Sequence, residues 1–265
     1  MRVQVLLATM NKKDFSLIKE MNIHTDIVIA NQADEFSYSQ IDSAKLITTT
    51  FRGVGKNRNL ALCYADVDIL LFSDDDMRYV DGYEQIVIQA FERLKHADVI
   101  IFNTADVGRE THNIKNTKRV RLWNFARHGT YRIAIRRSSL LKARLSFSEF
   151  FGGGAIYSSG EDSIFLRDAL RKKLRIYTSP ETIAVVNQES STWFNGYDEK
   201  FMFDKGALCS ALFPAMKYFA GFYLLVKFSR RATIKKSNCF KAMLAGIKCE
   251  KNMISYQEWK ERTHG

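Results

Sequence analysis

The decapeptide LLFSDDDMRY, residues 70–79, ends an apolar run on three consecutive carboxylates, Asp74, Asp75 and Asp76. The apolar residues from Asp68 to Phe72 read as a strand buried on both faces, as in a parallel sheet. Like charges side by side repel, so the triplet implies a positive partner. If strand alternation continues through it, Asp74 and Asp76 point to one side and Asp75 to the other. Two converging carboxylates suit a hard divalent cation such as Mg²⁺ or Mn²⁺, which also takes phosphate oxygens. The alternative is an acidic turn with its charges in water.

Outward from this stretch the pattern repeats. Val3 to Ala8, Asp26 to Ala30, Lys45 to Thr49 and Asp98 to Phe102 are further short apolar runs, and strand signals return at Arg132–Ile135 and Thr182–Val186. Helical periodicity lies between some of them, most clearly at Tyr83, Val87, Ala90, Phe91 and Leu94. Strands spaced by helices predict an α/β fold: a Rossmann-like, mostly parallel sheet flanked by helices, with ligands at the carboxyl ends of the strands. Residues 105 to 130 are polar and basic and read as a long loop.

Two more segments carry chemistry. Glu161 and Asp162 open a helix on which Asp162 shares a face with Phe165, Leu166, Ala169 and Leu170. A carboxylate heading an apolar face points into a cleft, the place for a general base. Acidic residues in a first helical turn are also favoured by the helix dipole alone. The turn Arg52-Gly53-Val54-Gly55-Lys56-Asn57-Arg58-Asn59 leads into a helix and would attract phosphate, although it is no P-loop.

The chain ends differently. Forty Lys and Arg against 29 Asp and Glu leave a net charge of +11, and eight of those bases fall between Lys227 and Lys251 against the single acid Glu250. Ahead of them Ala211 to Phe228 is rich in Phe and Tyr, but its uncharged core between Lys217 and Lys227 is nine residues. A membrane-spanning helix needs roughly 20. Aromatics followed by bases predict a helical, membrane-associating extension lying in the interface over 211–241, or a helix packed on the core with a solvated basic tail. The amino terminus shows no signal peptide, and Cys63, Cys209, Cys239 and Cys249 lack metal-ligand spacing, so they read as reduced cytosolic thiols.

Taken in order, these segments resemble family 2 glycosyltransferases of the GT-A fold, in particular bacterial enzymes that build capsule and similar polysaccharides. The resemblance runs over residues 2 to 206. VLLATMN (5–11) looks like the first strand and nucleotide loop, which implies Thr9 and Asn11 near the base and ribose. VIANQADE (28–35) resembles the second-strand end, with Asn31 where many members carry Asp. GVGKNRNLAL (53–62) places Arg58 beside the nucleotide. FSDDDM resembles the D-x-D motif, so that Asp74, with Asp75, contacts the nucleotide-sugar and Asp76, with Asp74, the Mn²⁺ or Mg²⁺. GEDSIFLRDAL (160–170) resembles the E-D motif, making Asp162 the catalytic base. FSEFFGGGAIY (147–157) and RHGTYRIAIRR (127–137) look like acceptor-side segments, which brings in Gly153, Gly154, His128 and Glu161. Gln188 stands where related enzymes often place a metal-binding His.

The resemblance divides the chain into a nucleotide-sugar-binding half (1–105), an acceptor-binding half with the catalytic helix (106–206) and a basic, amphipathic helical segment (207–265). It implies inverting transfer from a nucleoside-diphosphate-sugar to a glycan or a polyprenyl-pyrophosphate-linked acceptor, at the inner face of the cytoplasmic membrane. Nucleic-acid binding is disfavoured, since the bases gather at one end and no helix-turn-helix, RNA-recognition or zinc motif is present. A nucleotidyltransferase, which would release pyrophosphate, and a catalytically silent sugar-nucleotide binder remain alternatives.

Overall fold

A computed structural model describes residues 1–106, 113–187 and 196–264. In chain order the strands are β1 (Val3–Met10), β2 (Asp26–Gln32), β3 (Ser37–Ile41), β4 (Ala44–Thr49), β5 (Ile69–Asp74), β6 (Met77–Tyr79), β7 (Val99–Asp106), β8 (Ile133–Arg136) and β9 (Ile176–Val186). The helices are α1 (Ser16–Glu20), α2 (Val54–Cys63), α3 (Tyr83–Arg93), α4 (Arg137–Ala143), α5 (Glu161–Arg171), α6 (Glu199–Leu212), α7 (Lys217–Ser229), α8 (Lys236–Cys249) and α9 (Tyr256–His264).

The nine strands of the described residues join one sheet in the order β3-β4-β2-β1-β5-β8-β7-β9-β6. Alternation divides each central strand between two cores. Leu6, Val28, Leu70 and Phe72 face the layer holding α2, α5, α6 and α8. Val5, Leu7, Ile29, Ile69 and Leu71 face the layer holding α1 and α3. Helices therefore cover both faces, and the central strands read as continuous apolar runs for that reason.

The sheet is mixed, with its longest ladders parallel. The pairs β2/β4, β1/β2, β1/β5 and β7/β9 are parallel. The pairs β3/β4, β5/β8, β7/β8 and β6/β9 are antiparallel. Among the described residues no α-helix lies between β7 and β8, only two single 3₁₀ turns at Phe125–Arg127 and Thr130–Arg132. A chain that returns without a crossover helix pairs antiparallel. Two strands escape the apolar pattern: β3 is a fully exposed edge, and β6 is three residues long.

The expected divisions at 105/106 and 206/207 cut through β7 and α6. A hydrogen-bonded strand and a helix are each single units, so the sheet runs across the first boundary and a helix across the second. At the carboxyl end, Phe213 and Pro214 interrupt what the aromatic run suggested as one helix; α6 stops at Leu212 and α7 restarts at Lys217. Among the described residues no helix is long and apolar enough to cross a membrane.

Candidate active site

The β5 strand ends at Asp74, and Asp75 and Asp76 form the turn into β6. Alternation therefore stops at Asp74, and the triplet is not sorted by strand faces as expected. A tight turn lets each carboxylate take a different direction. The Asp75 carboxylate accepts from Thr9 Oγ1 at 2.5 Å, at the neighbouring end of β1. Asp76 is exposed, with its main-chain oxygen accepting from Asn187 N at 2.9 Å.

The cation facing Asp74 is Arg58, on α2. Its Nη2 donates to Asp74 Oδ1 at 2.7 Å and its Nη1 to Glu161 Oε1 at 2.9 Å, across 103 residues of sequence. The Arg58 side chain is 5% exposed and its guanidinium lies 5.5 Å from the Phe147 ring centre. Burial alone would weaken its hold on the proton; the charges of Asp74 and Glu161 outweigh burial and keep it firmly protonated. Arg58 thus ties the strand end carrying the carboxylate triplet to the start of α5.

That start is held closely. Gly160 caps α5 with φ 114°, and Phe165, Leu166 and Ala169 below it are fully buried. Phe165 stacks on Phe147 at 4.3 Å and meets Phe72 edge-on at 5.6 Å, anchoring α5 to the sheet beneath Asp74. Gly152 has φ 111°, and a Cβ there would lie 2.6 Å from Val54 Cγ1 and 2.9 Å from Glu161 Oε2. The glycine run therefore allows α2, the 150s loop and Glu161 to approach one another.

Asp162 Oδ1 accepts from Ser163 N at 2.6 Å. Burial, reinforced by the neighbouring Glu161 charge, pushes the Asp162 carboxyl up to about 6; the Ser163 N–H, Arg58 and Lys205 oppose that rise. Lys205, on α6, donates to Ser159 Oγ at 3.0 Å, and burial lowers its own proton affinity. A carboxylate with that affinity is largely ionised at neutral pH and can accept a proton from a hydroxyl group.

Glu161, Asp162, Lys205 and Gly153 line a cavity of about 800 Å³ to which α6 and α7 also contribute walls. Gly153 O also accepts from Val54 N at 2.9 Å, while Gly154 packs beside Gly53. His128 lies elsewhere, lining a second, basic cavity of about 590 Å³ with Lys115, Lys118 and Arg127. Asn31 is buried and its amide is committed internally: Oδ1 accepts from Lys12 N at 3.0 Å, and Nδ2 donates to Lys12 O at 2.8 Å and Thr48 Oγ1 at 3.1 Å. It pins the loop after β1, where Asn11 adopts φ 55° and donates N–H to Gln32 O at 2.8 Å.

Sequence reasoning missed Lys205 and Asn57. Asn57 Nδ2 donates to Thr9 O at 3.0 Å and Ala30 O at 2.8 Å, joining α2 to β1 and β2. The signal for Lys205 was a charge pair, Asp204-Lys205, inside the otherwise apolar stretch Met202 to Leu208; such charges need a purpose.

For a divalent cation the donor set is chemically apt: Asp74 at the strand end and Asp76 in the turn both offer hard oxygens. Among the described residues no three His, Cys, Asp or Glu side chains form a closed cage. Mg²⁺ and Mn²⁺ sites on one or two carboxylates are completed by substrate phosphates, so the pair fits a cation that arrives with its ligand. Gln188 falls outside the described residues.

The mixed sheet, the acidic turn at the end of β5 and the E-D helix start define a protein of the GT-A fold. Residues 28–155, a little under half of the chain, match the family model for glycosyl transferase family 2. Among solved structures it is similar to a fragment of S. aureus TarS, residues 1–349, in complex with UDP-GlcNAc: 16% identity, TM-score 0.62, over 100% of this chain and 92% of that one. The same fragment in complex with UDP gives 16% identity and TM-score 0.57, over 99% of this chain and 78% of that one. Similarity at this identity speaks for the fold alone. No curated protein matches the sequence significantly.

Proposed function

We propose that the protein is an inverting glycosyltransferase that moves a sugar from a nucleoside-diphosphate-sugar, a UDP-sugar, to a glycan or lipid-linked oligosaccharide in surface polysaccharide synthesis. The observation that carries this reading is the Arg58 clamp. It holds the Asp74 strand end and the Glu161-Asp162 helix start together, with Asp162 lining a large cavity. The UDP and UDP-GlcNAc held by proteins of the same fold support a uridine donor.

In the reaction, Asp162 takes the proton from an acceptor hydroxyl as that oxygen attacks the anomeric carbon from the side opposite the diphosphate. The nucleoside diphosphate leaves at the β5 end, beside Thr9, Asn11 and the Asp75 turn. Arg58 donates to both carboxylates through Nη1 and Nη2 and so holds these groups in place. Bound Mn²⁺ or Mg²⁺, carried by Asp74 and Asp76, would neutralise charge on the departing diphosphate. The exposed aromatics of α7 and the bases after it support work at the inner face of the cytoplasmic membrane.

The test is to incubate the protein with UDP-sugars, Mn²⁺ and candidate acceptors and to measure UDP release. Transfer that depends on Asp162 supports the reading. Release of pyrophosphate would point to a nucleotidyltransferase, and donor binding without any turnover to a silent binder.

A further inference from the structure

Several charges around Asp162 are matched by a direct partner. Arg58, from α2, is engaged by Asp74 and Glu161 through its two terminal nitrogens. On α6 the buried Asp204 carboxylate accepts from Lys200 Nζ at 2.5 Å, one turn earlier, and from Ser158 N and Oγ at 3.1 and 2.6 Å. Asp162 and Lys205 are not matched in this way: among the described residues neither makes a salt bridge. Lys205 is half-buried, donates to the Ser159 hydroxyl at 3.0 Å and lies over the Phe201 ring, 5.2 Å from its centre. Both side chains line the same cavity, in which Glu161 and Asp162 are the only carboxylates among the described residues. The other cations lining it are Arg127, from the 3₁₀ turn Phe125–Arg127, and Lys227, from α7.

An amine and a carboxylate that share a cavity without a closer counter-charge act on one another. Burial draws the proton off Lys205, and the charges of Asp162, then Asp204, Cys209 and Glu161, oppose it. Burial and Glu161 favour the protonated form of Asp162, and the Ser163 N–H, Arg58 and Lys205 favour the carboxylate. We propose that Lys205 is a positioning residue that acts through Asp162: anchored on Ser159, its charge shares the cavity with the base and keeps it ionised while the donor is bound. The need arises with the substrate. A nucleoside diphosphate brings negative charge into the site, and negative charge near a carboxylate favours its protonated form, which cannot serve as a base. Lys205 offsets that charge without a salt bridge, so no ammonium group occupies the carboxylate where a hydroxyl must approach. This inference rests on Asp162 as the base and adds the group that sets its charge.

The experiment follows the Asp162 proton directly. The full chain, labelled with ¹³C at its aspartate carboxyl carbons, is titrated by NMR from about pH 4 to about pH 8, with the Asp162 signal identified by its loss in Asp162→Asn. In the unaltered protein that signal should titrate at about 6. In Lys205→Met the midpoint should move to higher pH by about half a unit or more, and Lys205→Arg should bring it back towards the native value. Lys205→Gln is a second neutral variant, and thermal unfolding of each shows that it folds. UDP release from UDP-sugars gives another readout. Its acid limb should move with the NMR midpoint in Lys205→Met, so that the loss of rate is about threefold or more at about pH 5 and shrinks towards about pH 8.

A lysine that merely held the fold would lower the rate alike at every pH and leave the midpoint in place, and either result overturns the proposal. Absence of UDP release from the unaltered protein overturns the glycosyltransferase reading instead. The titration needs no substrate, so the two failures are distinct.

Discussion

Replacing Asp162 by Asn should abolish sugar transfer and at the same time stabilise the fold, by an amount that grows with pH. The side chain is held in a partly closed site where burial and Glu161 raise its proton affinity from the ordinary 3.8 to about 6. At about 1.36 kcal/mol per tenfold change in affinity, ionising it there costs up to about 3 kcal/mol more than in the unfolded chain. The folded protein binds this proton more tightly than the unfolded one. Stability from it is therefore whole below pH 3.8 and lost as pH rises towards about 6. The amide of the Asp162→Asn variant does not titrate, and its oxygen can still accept from Ser163 N. The melting temperatures of the two proteins should thus lie closest below about pH 4 and separate fully above pH 6, by about 6 °C at about 2 °C per kcal/mol for a chain of this size. Differential scanning calorimetry of both proteins from about pH 4 to about pH 8, beside UDP-release assays, reads both effects. Transfer should fall by about 10² or more. A melting difference that stays constant or shrinks across that range, or transfer retained by the variant, refutes the reasoning.

The same carboxyl group predicts the acid limb of the enzyme. The transfer rate should rise with pH to a plateau above about pH 6 as Asp162 ionises, and a rate flat between pH 5 and pH 7 would remove it as the base. Arg58→Met leaves Asp74 and Glu161 without their cation and should destabilise by about 3 kcal/mol, read by urea unfolding, with Arg58→Lys recovering part of the loss. Gly152→Ala must adopt φ 111° and press on Val54 and Glu161, so it should cost about 2 kcal/mol and lower the transfer rate together. Asp76→Asn should reduce the extra thermal stabilisation that Mn²⁺ adds to UDP, with the metal-free UDP shift nearly unchanged.

Much of the scaffold was legible in the chain because strands buried on both faces leave unbroken apolar runs. Val3–Ala8, Asp26–Ala30 and Asp68–Phe72 all fall on strands of the observed sheet, the last beginning one residue ahead of β5. The α5 helix was equally plain, since Phe165, Leu166 and Ala169 recur at helical spacing beneath Asp162. β3 and β6 were not, because an exposed edge and a three-residue strand carry too little apolar pattern to register. The mixed pairing escaped for another reason: strand direction depends on how the chain returns, and spacing does not record that.

What the amino-acid order determined by itself was local: where apolar runs stop, which carboxylates sit at those stops, and that bases and aromatics gather near the carboxyl end. Periodicity and charge act over a few neighbours, so they are readable one segment at a time. Only the tertiary structure decided that Arg58 joins Asp74 to Glu161, that Lys205 is near enough to Asp162 to act on its charge, and that α7 aromatics line the same cavity as Asp162. Each of those contacts joins residues far apart in the chain, and their partners are chosen by the packing of whole elements against one another.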